Sequence, residues 1–230
     1  MLRLHTLRLL AVALSIALAS DLAFAQHDHG DIEFTYESGR IAIEFGDEGR
    51  VFEGDFGDFA GGPDETDDPG FGSEVDEGLG VDPGDIIGYK VLGPLNYHDG
   101  SAFAATSASM ALGNAGGIDI TVDAGTLAAG GLIGQADSAG DVHTHIDFAI
   151  NSTAPTGAYG LLLSLTAFDS SMQPKPGIAD SEPFYIVFNR GLDEVVFEEA
   201  VGAFTAIIPE PASLMLASIG AAVVCGRRRR

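Results

Sequence analysis

Cysteine is almost missing from this chain: its one copy, Cys225, stands near the C-terminus. No disulfide can close within the chain, and upstream of Cys225 there is no cysteine nucleophile or thiolate metal ligand. Stability must therefore come from core packing or from a metal. Basic residues are equally scarce. Between Gln26 and Ile208 there are 32 Asp and Glu against five basic residues (Arg40, Arg50, Lys90, Lys175 and Arg190), a balance of −27. A body so acidic repels nucleic acid and anionic lipid, and it favours solubility and divalent cations. Enzyme signatures are lacking as well: there is no G-x-S-x-G elbow, P-loop, H-E-x-x-H or dinucleotide fingerprint. Paired carboxylates for glycoside hydrolysis stay open, because their separation cannot be read from sequence. No internal repeat is visible, which argues against a propeller or solenoid.

What is present begins with the two ends. Arg3 and Arg8, the apolar stretch Leu9 to Ala19 and the Ala23-Phe24-Ala25 site read as a secretory signal over residues 1–25, with cleavage leaving Gln26 first. At the other end, over 206–230, Pro209-Glu210-Pro211 is followed by an apolar run from Ala212 to Gly226 and by Arg227, Arg228, Arg229 and Arg230. These three parts in this order resemble the PEP-CTERM sorting signal. The resemblance implies recognition and processing by an exosortase-type membrane protease. It also implies delivery to the cell envelope, the cell surface or the extracellular matrix. The apolar run is expected to form a short hydrophobic anchor helix of about 22 Å, less than the roughly 30 Å of a bilayer core. Ile207, Ile208 and the arginine stems would make up the length, holding the chain transiently in the inner membrane, with the arginines inside.

Residues 26–205 read as one exported domain, mainly β. Ile32, Phe34 and Tyr36 alternate with polar residues, Ser38-Gly39 follows, and Ile41, Ile43 and Phe45 alternate again, which predicts a hairpin. Residues 54–85 form an acidic stretch rich in Gly and Pro, expected as a long ordered loop pinned by its phenylalanines. Further strands are expected over 86–92, 101–106, 118–122, 132–135, 142–150, 157–168 and 183–189. Their spacing predicts an antiparallel β-sandwich of jelly-roll or immunoglobulin-like kind. Leu192, Val195, Val196, Ala200 and Phe204 fall at helical spacing and predict one short C-terminal helix.

The chemical signal lies in the histidines. His143-Thr144-His145 sits in an expected strand, where residues two apart share a face. Two imidazoles and a third donor suit Zn²⁺. His98, His27, His29, Asp141 and Asp147 are the candidate third donors, the last two sharing the parity of the histidine pair. Those aspartates could instead accept hydrogen bonds from the imidazoles. A polar, solvated strand face is the competing reading. The Gly140 to Phe148 stretch and Pro183 to Tyr185 carry a weaker resemblance to His-bearing PEP-anchored proteins linked to zinc homeostasis, which implies that His143 and His145 face a metal. Carboxylates of the acidic stretch, among them Asp64, Glu65, Asp67, Asp68, Glu74, Asp82 and Asp85, are the hard oxygen donors that Ca²⁺ prefers. An EF-hand fails, since Pro69 stands where that loop needs glycine.

Three functional expectations follow. The first is a non-catalytic surface or matrix protein, sorted through its tail and meeting extracellular polysaccharide. The second is an envelope zinc-binding protein built on the His-x-His strand. The third is a secreted carbohydrate-active enzyme.

Overall fold

A computed structural model describes residues 30–208 apart from 47, 48, 59–61 and 118. The expected signal segment, with Ala23, Ala25 and Gln26, and the tail from Pro209 onward lie outside the described residues, as do His27 and His29.

Fourteen strands and one α-helix make up this body. The strands are β1 (Ile32–Glu37), β2 (Arg40–Ile43), β3 (Val51–Asp55), β4 (Glu65–Thr66), β5 (Phe71–Ser73), β6 (Ile86–Val91) and β7 (Asn96–His98). They continue with β8 (Ser109–Leu112), β9 (Ile120–Asp123), β10 (Ala129–Gln135), β11 (Val142–Thr144), β12 (Phe148–Ile150), β13 (Gly157–Phe168) and β14 (Phe184–Arg190), and helix α1 (Glu194–Ile207) follows.

β13 is the axis of the molecule. Its twelve residues, GAYGLLLSLTAF, are buried on both faces, as a nearly continuous apolar run requires. On one side Tyr159, Leu161, Leu163 and Leu165 enter the main core. On the other, Ala158 meets Phe197, Ala200, Val201 and Phe204 of α1. β14 beside it alternates in the same way: Phe184, Ile186 and Phe188 enter the main core, Tyr185 and Val187 face the helix. Gly160 is the floor under the helix, since a Cβ there would stand 2.2 Å from the Phe204 ring.

Three sheets surround the main core. Their orders are β11-β5-β1-β2, β10-β6-β13-β14-β3 with β7 also on β13, and β4-β12-β8-β9. Two pairings are parallel, β1 with β5 and β14 with β3. The expected two-sheet antiparallel sandwich is thus corrected to a multi-sheet, mixed β fold with one C-terminal helix. Residues 54–85, expected without regular structure, contribute β4, β5 and a 3-10 turn (Val75–Glu77). Two of their phenylalanines reach the core: Phe71 is fully buried and Phe56 stacks on Phe188 at 5.3 Å, while Phe59 lies outside the described residues.

The membrane-spanning helix is a second correction. Among the described residues no helix is long and apolar enough to cross a membrane. α1 has 14 residues and carries acids on its outer face. The run 212–226, where the anchor was expected, lies outside the described residues.

Candidate metal centre

The site is built across the three strands β11, β5 and β1. The chain turns into β11 through Gly140, whose φ is +100°. Asp137 Oδ1 accepts the amides of Ala139, Gly140 and Asp141 at 2.7 to 3.1 Å, which fixes this turn and holds the Asp137 carboxyl below its usual range. β11 then pairs antiparallel with β5, His143 opposite Gly72. On the far side of β5, β1 runs parallel, with Ile32 beside Phe71, and the Ile32 amide donates to Gly70 O at 2.9 Å. Asp31, just ahead of β1, and the His143-x-His145 segment therefore flank Gly70, just ahead of β5, and Gly72 within it.

Neighbouring strands lie about 4.8 Å apart, so donors on the two outer strands meet only if nothing projects from the middle one. The sequence there is Gly70-Phe71-Gly72. A Cβ on Gly70 would stand 2.6 Å from Asp31 Oδ1 and 2.7 and 2.8 Å from Cε1 and Nε2 of His145. Phe71, of opposite parity, goes to the core instead.

Across this gap Asp31 Oδ2 lies 3.6 Å from His143 Nε2, and Asp31 Oδ1 lies 3.8 Å from His145 Nε2. The two imidazole centroids are 5.8 Å apart. Two donors held at about 2.1 Å by one tetrahedral ion stand about 3.4 Å from each other. These two separations are thus a few tenths of an ångström wider than an ion would hold them, and with all three ligand atoms within 4.8 Å of one another Asp31, His143 and His145 could coordinate a metal ion.

Hydrogen bonds set the tautomers. His145 Nδ1 is 2.9 Å from the Asp67 carbonyl oxygen, which can only accept, so Nδ1 carries the proton and Nε2 the lone pair. His143 Nδ1 donates to Glu74 Oε1 at 2.9 Å, leaving its Nε2 lone pair toward Asp31. Outer acceptors of this kind orient ligating imidazoles in metal sites. The Glu74 hydrogen bond and the nearby Asp31 charge raise the His143 pKa. A second group, Asp67, Asp68 and His145, also stands close enough to hold an ion. It faces His145 through Nδ1, 3.5 Å from Asp68 Oδ1. With that nitrogen donating to Asp67, neutral His145 serves only the Asp31 group. Burial, reinforced by Asp58 and Asp67, pushes the Asp68 carboxyl up.

The remaining sequence candidates go elsewhere. His98 is buried on β7, its ring edge-on to Phe103 at 5.2 Å and its Nδ1 accepting the Gly100 amide. Asp141 accepts the Val75 amide at 2.7 Å. Asp147 lies past a corner, in a pocket with Glu65 and Asp119. Of the carboxylates offered for Ca²⁺, Asp64 pairs with Arg190, Asp82 and Asp85 with Lys175, and Glu74 with His143.

Nothing in the sequence pattern ties Asp31, Gly70, Glu74, Asp67 or Asp68 to His143 and His145; the fold brings them together. The Gly-x-Gly of 70–72 was the available signal, two bare positions on one face of a strand.

Comparison with known proteins bears on the tail alone. Residues 208–230 match the PEP-CTERM protein-sorting motif. That motif supports export and sorting through an exosortase-type membrane protease, and with it a cell-envelope destination. No curated protein and no solved structure matches the chain. The resemblance to zinc-linked proteins accordingly has no metal-linked relative behind it.

Proposed function

We propose that this chain is an exported, non-catalytic protein of the cell surface or extracellular matrix, whose body holds one zinc-type divalent ion between Asp31, His143 and His145. The observation that carries the metal is the convergence of two Nε2 lone pairs on one carboxylate across a strand bare at Gly70, with both Nδ1 atoms already committed. Two imidazole nitrogens favour a borderline ion such as Zn²⁺ over Ca²⁺, which takes oxygen. The lack of any legible catalytic motif supports a binding or structural role, and the acidic surface suits a secreted, soluble body.

Calorimetry on chelator-stripped protein tests the metal. One Zn²⁺ per chain, with no comparable Ca²⁺ uptake and loss of binding in the double variant His143→Ala, His145→Ala, is the expected result. Unchanged zinc uptake by that variant would remove the site. The sorting half is tested in cells. Replacing Pro209, Glu210 and Pro211 by alanine should leave the chain at its unprocessed mass and away from its surface location, and normal processing of that variant would contradict it.

A further inference from the structure

The chain has only two lysines, Lys90 and Lys175, and the fold treats them differently. Lys90 Nζ meets Asp180 at 2.5 Å in the open, the two side chains 46% and 43% exposed. Lys175 is 19% exposed and its partner Asp85 only 5%. Lys175 Nζ stands 2.9 Å from Oδ1 and 2.8 Å from Oδ2 of Asp85, and 2.8 Å from Asp82 Oδ2. Tyr36 donates its hydroxyl to Asp85 Oδ2 at 2.9 Å. An amine, a buried carboxyl, a second carboxylate and a phenol thus meet at one point. They are drawn from β1, the turn ahead of β6 and the connection between β13 and β14.

Both reacting residues are held by their backbones. The Asp85 amide donates to Asp82 O at 3.1 Å, and the Asp85 carbonyl accepts the Ala136 amide at 2.8 Å. The Lys175 amide donates to Ala167 O at 2.9 Å. Groups fixed at contact distance on a rigid frame react at effective concentrations far above any in solution. As an ion pair alone the arrangement adds little, because burying two charges offsets their attraction.

We propose that Lys175 and Asp85 condense into an intramolecular amide, with Asp82 and Tyr36 assisting the step. The hydrogen bonds from Asp82 and Asp85 raise the Lys175 pKa, so the ion pair is the starting state and the reaction is a slow, single event in each chain. Asp82 takes one proton from the ammonium, and the Nζ lone pair attacks Cγ of Asp85. Tyr36 donates to Oδ2 as charge develops there, the part that preorganised donors play at tetrahedral intermediates. Burial and the hydrogen bond to Asp85 keep that phenol protonated. The Cγ–Oδ1 bond then breaks, and Oδ1 leaves as water with the proton from Asp82 and a second proton from Nζ. An ammonium and a carboxylate become a neutral amide and one water, and Asp82 ends as it began. Asp82 is 66% exposed, which gives the water a way out. The product is a covalent clip between residues 90 positions apart, in a body that has no cysteine to make one.

Trypsin digestion and mass spectrometry of the full chain test this, because cleavage after Lys90 otherwise separates the segment holding Asp85 from the one holding Lys175. The expected product is one branched peptide joining the two segments, lighter than their sum by one water. Lys175→Arg keeps the charge but removes the amine, so no such peptide should form. Asp82→Asn should slow its appearance in freshly made protein by about 100-fold or more. Separate peptides of full mass from aged protein would overturn the proposal, as would a loss of water that persists in Lys175→Arg. Equal rates with and without Asp82→Asn would overturn the proton transfer as written. Zinc plays no part in the step, so either result is independent of the metal centre.

Discussion

A methyl group at position 70 would overlap the Asp31 carboxylate and the His145 ring, the nearest atoms being 2.6 to 2.8 Å from it. Gly70→Ala should therefore push the donors apart and weaken zinc binding by about tenfold or more, while far-UV circular dichroism is unchanged. Unaltered affinity in that variant would mean that the three side chains do not share an ion. Glu74 acts through His143. Its hydrogen bond and the Asp31 charge raise the His143 pKa above the ordinary 6.5, which sets two signs. In the metal-free protein the stabilisation by protonated His143 is fully present below 6.5 and is lost as pH rises through the raised folded value. Zinc must displace that proton, so affinity should fall as pH drops through the same raised value. Glu74→Ala should bring the His143 titration, followed by NMR, down toward 6.5 and move the pH dependence of zinc binding with it. A His143 titration that does not move would show that Glu74 has no hold on the ring. Asp31 itself was not legible in the sequence. One aspartate among 32 acids carries no mark, and its role appears only when β5 places it opposite His145.

At the scale of elements, α1 is held by one face. Phe197, Ala200, Val201 and Phe204 are buried against β13 and β14, and the Phe204 ring lies edge-on to Phe103 and near Tyr185 at 5.0 and 5.2 Å. Phe204→Ala removes the side chain for which Gly160 leaves space and should cost about 3 to 5 kcal/mol of stability in urea unfolding. A loss below about 1 kcal/mol would contradict this account of the helix. The sequence located this helix by its spacing, and it located the first hairpin by its turn. Ser38 and Gly39 have φ of +52° and +79°, the pair of positive values that a two-residue hairpin turn needs. The 142–150 run shows where such inference stops. Val142, Ile146, Phe148 and Ile150 are all buried, so the alternation predicts which face is inward. It does not predict partners: the chain leaves β5 after Thr144 and joins β8 and β4 from Phe148. Asp147 is carried round that corner, and the expected stripe from Asp141 to Asp147 never forms. The strand expected over 101–106 is only an isolated bridge from Phe103 to His98, and the ladders on either side of it are β7 and β8, which the alternation does not predict.

At the scale of the whole molecule, many short strands were readable and their closure was not. Parallel pairing of β1 with β5 and of β3 with β14 joins segments with long stretches of chain between them, and face alternation is blind to that choice. The wrapping of three sheets round one core is what brings residue 31 beside residues 143 and 145, so the candidate site is a product of topology more than of local motif. The tail is the opposite case. Its sorting motif is local, needs no fold to be recognised, and was legible in full. Address and chemistry are therefore separate in this chain: residues 208–230 bear on where it goes, and the β body carries whatever it binds.

The central claim is that a metal ion sits between β1 and β11, and anomalous X-ray scattering at the zinc edge on crystals of zinc-loaded protein tests it most directly. The account predicts one strong peak about 2.0 to 2.2 Å from His143 Nε2, His145 Nε2 and an Asp31 carboxylate oxygen. A peak on Asp67 and Asp68 with Asp31 free, or no ordered peak in zinc-soaked crystals, would contradict it.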